Sequence, residues 1–141
     1  MKSAFNYAEC STAEKLKVGC VLVKDDRIIS IGYNGMPSGW SNVCEEKTLW
    51  LNGKQLPSQV LVTKPEVLHA EENAITKLAR STESGEGATA FITHAPCLSC
   101  AKLLYSSGIV EVYYVHEYRD TAGVDFLKKC KIGINHYNAN N

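Results

Sequence analysis

Charge of one sign is what this sequence most plainly lacks: 15 Lys and Arg residues meet 15 Asp and Glu residues, for a formal net charge of zero. With no surplus of positive charge, a surface that neutralises a long run of phosphates is not expected, nor is a nucleic-acid polymer as partner. Apolar runs are also short. None approaches the roughly eighteen residues of a membrane span, and the opening MKSAFNYAECSTAEK holds no run of signal-peptide length. The expectation is a soluble, cytoplasmic protein without a membrane partner. Internal repeats, low-complexity tracts and charge blocks are missing too, and 45% hydrophobic with 21% charged residues is not the composition of a disordered chain. Residues 1–141 therefore read as one domain, ending in a polar, frayed tail, YNANN.

Cysteine is present in an even number, six, but the chain is long enough to build its own core. Cys97 and Cys100 form a C-x-x-C pair, which favours metal or redox chemistry over a disulfide framework. Cys20 and Cys130 read as small buried apolar residues.

Residues 18–24 (VGCVLVK) and 28–33 (IISIGY) are rich in β-branched side chains and flank Asp25, Asp26 and Arg27, which predicts a hairpin. Residues 3–16 suit one helix or two short ones, with Ser11 and Glu14 as a possible capping box. From Asn34 to about Pro65, glycines and prolines predict a long loop, with a short helix or strand near Val60 as an option. A loop of that length inside a compact domain points weakly to function. The second half alternates: helix 69–82, strand 88–93, helix 98–107, strand 109–116, helix 121–130 and strand 132–137. Such alternation implies parallel βαβ crossovers, and the opening hairpin makes the sheet mixed. The expected class is α/β, as a three-layer α/β/α sandwich around about five strands.

His69-Ala70-Glu71 and Pro96-Cys97-Leu98-Ser99-Cys100 each stand where a predicted helix begins after extended chain. Cysteines at i and i+3 share a ridge of a first turn, where free backbone N–H groups favour thiolate. His69 and Glu71 lie about 200° apart around a helix, so one site is within reach of both only if the helix points its end at it. Three ligands, His69, Cys97 and Cys100, leave a tetrahedral zinc one position open to water, the pattern of catalytic sites. Glu71, two residues from a ligand, is placed to take a proton from that water.

These residues resemble the H-x-E…P-C-x-x-C signature of the zinc-dependent cytidine and deoxycytidylate deaminase superfamily. Gly32-Tyr33-Asn34-Gly35-Met36-Pro37-Ser38-Gly39, His69 to Ile75 and Ser107-Gly108-Ile109 are similar to the deoxycytidylate branch in particular, with likeness from about Val18 to Ile134. The resemblance implies a cytidine-deaminase-like fold and hydrolysis of dCMP to dUMP and ammonia, with Glu71 protonating N3 and then the leaving amine. It implies deoxyribose binding by Asn34, a base contact from the Ala70 backbone, a pocket bordered by Thr93 and Tyr118, and Arg119 as the phosphate partner. It further implies an oligomer, often a hexamer, activated by dCTP and inhibited by dTTP. The effector segment would contain Gly32, Tyr33, Asn34 and Gly35, and Mg2+ would accompany a triphosphate.

Some members of that superfamily hold a second, structural zinc with a histidine two residues before the catalytic one. Val67 stands there in this chain, so Cys10 and Cys44 are not expected to complete such a site. His94, His116 and His136 are assigned no role, Tyr113 and Tyr114 read as core or interface, and Trp40 and Trp50 as loop or interface anchors. The same zinc chemistry on a nucleoside, a tRNA or single-stranded DNA, and a non-catalytic zinc-stabilised binding module, are the competing readings.

Overall fold

In the computed structural model, which describes residues 1–138, the chain begins with α1 (Lys2–Ala8) and a hairpin of β1 (Gly19–Lys24) and β2 (Arg27–Tyr33). Asp25 and Asp26 make its two-residue turn with φ of 50° and 58°, the left-handed pair that matches strand twist. A second hairpin, β3 (Glu45–Leu51) and β4 (Lys54–Thr63), follows. Then come α2 (Ala70–Ala79), β5 (Thr89–His94), α3 (Leu98–Ser106), β6 (Glu111–His116), α4 (Ala122–Lys129) and β7 (Gly133–His136). The final residues of the polar tail, 139–141, lie outside the described residues.

The main sheet has the order β2-β1-β5-β6-β7. β1 pairs antiparallel with β2 and β5, whereas β5, β6 and β7 run parallel, as the crossovers through α3 and α4 require. Alternate side chains enter opposite faces. Cys20, Leu22, Ala90, Ile92 and Val112 meet Ala74 and Leu78 of α2, Ala101 and Leu104 of α3, and Leu127 of α4 in one buried cluster. α1 covers the other face, where a Cβ on Gly19 would run into the Ala4 carbonyl. The three-layer expectation holds. Among the described residues, no helix is long and apolar enough to cross a membrane.

Two expectations hold only in part. Residues 3–16 give the single-helix option, α1, and no second helix, because the groups that would start one have tertiary partners. The Ser11 hydroxyl donates to the Asn34 carbonyl at 2.8 Å, and the Glu14 N–H donates to the Glu45 carboxylate at 3.2 Å. Residues 11–18 form an irregular strap instead. The segment from Asn34 to Pro65 is not a loop throughout but contains β3 and β4; the strand option near Val60 is the part that fits. This hairpin is a separate two-stranded sheet with mostly exposed side chains, so it lacks the alternation by which a half-buried strand is recognised. Asn52 and Gly53, at φ 53° and 76°, are a hairpin signal that could have revealed it.

Smaller details vary around the expectation. Cys20 is fully buried, but Cys130, at the end of α4, is only half-buried. His136 Nε2 donates to the Val115 carbonyl. Tyr113 stacks on Phe91, and Tyr114 is buried. Trp40 and Trp50 are both more than half exposed.

Candidate metal centre and active site

Two helices begin at the same place. His69 is the residue before α2 and Cys97 the residue before α3, both extended, with ψ of 158° and 168°. The Glu72 carboxylate accepts the His69 N–H at 2.7 Å, which fixes the start of α2 in the manner of a capping box. Approach of α2 to the sheet needs a bare backbone at Gly32, where a Cβ would collide with the Ala70 carbonyl. The chain ahead is held as well: Gly35 and Leu68 exchange backbone hydrogen bonds at 3.1 and 2.9 Å.

His69 Nδ1 lies 3.6 Å from Cys97 Sγ and 3.4 Å from Cys100 Sγ. Tetrahedral zinc with its usual bonds to nitrogen and sulfur demands N···S edges of about 3.5 Å, so the three atoms fit that ion. Among the described residues this is the only group of three or more His, Cys, Asp or Glu ligand atoms close enough for a metal. Cys10 and Cys44 form no second group; Cys44 Sγ stands 3.6 Å from Thr12 Oγ1.

Without an ion the three side chains share protons among themselves, and a metal would have to displace those on His69 and Cys100. Hydrogen bonds from Cys100 and His69 hold the Cys97 thiol down to about 4. His69 is pushed up to about 9, first by its hydrogen bond with Cys97. Cys100, donor to that thiolate and largely buried, is pushed well above the ordinary thiol range. Beside them the Glu71 carboxyl, 4% exposed, is raised to about 7, chiefly by burial and against its own backbone hydrogen bond. A carboxyl in that range can both take and give a proton near neutral pH.

A cleft opens on this cluster. It is lined by His69, Glu71 and Cys97 on one side and by Asn34, Glu45 and Leu16 on another. Ala70 and Tyr118 also line it, so most of the residues singled out in the sequence converge. Thr93 does not border it. Its side chain is fully buried, and its hydroxyl serves the Gly19 N–H at 3.1 Å and the His94 ring at 2.9 Å. Arg119 is exposed, next to Tyr118 but not among the lining residues. Glu45 and His94 line the cleft although nothing in the sequence singles them out for it; Glu45 stands in a segment that reads as loop.

A second groove is lined by Tyr33, Asn34, Gly35, Asn73 and Lys77. Lys77 Nζ donates to the Ile31 carbonyl at 2.8 Å and lies 6.0 Å from the centre of the Tyr33 ring. Gly32 does not reach this groove, because its side of β2 packs on α2.

Fold and site together define an α/β/α protein with a buried carboxyl beside a His-Cys-Cys cluster that could hold a metal ion. The chain belongs to the family described as the cytidine and deoxycytidylate deaminase zinc-binding region, which matches residues 1–116. The deoxycytidylate deaminase of Enterobacteria phage T4 is 33% identical over 84% of this chain and 76% of its own length. That of Saccharomyces cerevisiae is 36% identical over 97% of this chain, which spans 43% of the yeast protein. The crystal structure of dCMP deaminase from the cyanophage S-TIM5, in complex with dCMP and dUMP, superposes with a TM-score of 0.82 at 37% identity, covering 96% and 92% of the two chains.

Proposed function

We propose that this chain, as one domain over residues 1–141, hydrolyses dCMP to dUMP and ammonia and so supplies dUMP for thymidylate synthesis. The observation that carries the reading is the cleft that brings the Glu71 carboxyl together with His69 and Cys97, with Cys100 buried beside them, in a chain whose relatives include proteins named deoxycytidylate deaminase. His69, Cys97 and Cys100 hold one zinc per chain. When bound there, zinc supplies Lewis acidity for the activation of water. Glu71 accepts a proton from the attacking water and delivers it to N3 of the base, then takes the second proton from the new C4 hydroxyl and gives it to the amine, so that the C4–N bond breaks, the C4 carbonyl forms and ammonia leaves.

Around that centre, Asn34 binds the deoxyribose, the Ala70 N–H meets the base, and Tyr118 borders the ring. Arg119, exposed beside Tyr118, takes the 5′-phosphate. The groove lined by Tyr33, Asn34 and Gly35 is the site for dCTP as activator and dTTP as inhibitor, with Mg2+ accompanying the triphosphate. The working form is a cytoplasmic homo-oligomer, a hexamer by analogy with the family.

The test is the loss of ultraviolet cytosine absorbance on mixing the zinc-loaded protein with dCMP, cytidine or dCTP, with and without dCTP as effector. Conversion confined to dCMP is the expected result. Conversion of cytidine alone, or of none of them, overturns the substrate assignment.

A further inference from the structure

Glu45 opens β3 and is 6% exposed, yet it lines the same cleft as His69 and Glu71. Its two carboxylate oxygens accept the N–H groups of Lys15 and Glu14, each at 3.2 Å. No cation stands against it: among the described residues the one ion pair joins Arg27 to Glu83. A buried charge without a counter-ion is costly, and a neutral acceptor would serve to hold two backbone N–H groups. What a carboxylate adds is acceptor capacity, since about four lone-pair positions exist and the strap takes two. The same two bonds orient the group in advance.

An acceptor-only group selects hydrogen-bond donors. On the dCMP substrate proposed above, donors occur at two places, the amino group on C4 and the 3′-hydroxyl. The amino group belongs at the metal centre, where it is displaced. The base carbonyl and the phosphate are acceptors and are repelled by a carboxylate. The 3′-hydroxyl is the partner left. Asn34, the proposed deoxyribose ligand, clasps the same strap through Val18 N–H at 2.8 Å and the Leu16 carbonyl at 2.7 Å.

We propose that Glu45 is a specificity-determining residue whose strap-oriented carboxylate accepts a hydrogen bond from the sugar 3′-hydroxyl of the substrate; this inference rests on the dCMP reading. A site built around a substrate hydroxyl discriminates against the analogue that lacks it, because a buried polar group is then left unpaired.

The experiment compares kcat/KM for dCMP and for 2′,3′-dideoxy-CMP in the wild-type protein, Glu45→Gln and Glu45→Ala, with melting temperature and bound zinc measured for each. Wild type prefers dCMP by a factor on the order of ten or more. Glu45→Gln, which keeps the size and one acceptor oxygen, lowers that preference several-fold, and Glu45→Ala brings it close to one. If Glu45 only clamps the strap, both substrates lose the same factor and the preference is unchanged, which overturns the inference. Wild type that uses both substrates equally overturns it even where neither variant folds. Failure of wild type to convert dCMP at all instead overturns the functional reading, and the assignment of Glu45 with it.

Discussion

The two ends of the cleft are built by different means. At the metal end, short stretches next to regular elements supply everything: His69 and Glu71 at the start of α2, Cys97 and Cys100 at the start of α3. At the other end, the wall is an irregular strap held by side chains from far along the chain. Asn34 bonds Val18 and Leu16, and Glu45 bonds Glu14 and Lys15 across some thirty positions. Chemistry is thus concentrated where geometry is local and rigid. On the proposed reading, the choice of substrate falls to the end assembled through long-range tethers.

If that division is real, substitutions at the two ends fail differently. The largest effect is expected at the metal end: Cys97→Ser removes a ligand, and metal analysis with the absorbance assay should show loss of both bound zinc and deamination, by at least about a thousandfold. Retention of stoichiometric zinc in that variant would contradict the ligand assignment. Next, chelation should lower the melting temperature of the wild-type protein, because metal bound only by the native triad contributes to stability. An unchanged melting curve after verified zinc removal would show that the triad does not couple metal to folding.

Asn34→Ala belongs to the other class. It strands the Val18 N–H and the Leu16 carbonyl and should cost about 1–3 kcal/mol, read by denaturant unfolding. Zinc content should stay near one per chain while kcat/KM falls. Loss of zinc in this variant would mean that the two ends are not separable.

The smallest effect concerns His94 in the wall between them. Burial, and then His116, holds this imidazole down to about 4. In the unfolded chain it regains its ordinary value of 6.5, so the unfolded state takes up the proton first. The stability this neutral ring contributes is complete above pH 6.5 and is lost as pH falls toward 4. His94→Leu should flatten that part of the melting-temperature profile relative to wild type; parallel profiles would remove His94 from the account.

The same division separates what is legible in the amino-acid sequence from what is not. The order of strands and helices in the second half and the mixed sheet follow from periodicity, whereas the His-Cys-Cys set is legible as two short motifs that resemble a family signature. Ser11 and Glu14 mislead because a capping pattern competes with tertiary acceptors, here the Asn34 carbonyl and Glu45. β3 and β4 are obscured because their side chains are largely exposed, although Asn52-Gly53 marks the turn. Thr93 is a pocket residue only by family resemblance, and in this chain strand alternation turns it toward Gly19. Glu45 carries no local signal, since its partners lie outside its own segment.

The central claim is that Glu71 moves protons at a metal centre that it does not itself hold. Zinc stoichiometry and dCMP turnover measured together on Glu71→Ala test it most directly. The account predicts about one tightly bound zinc per chain and no detectable conversion of dCMP. Loss of the zinc, or turnover close to that of the wild-type protein, would contradict it.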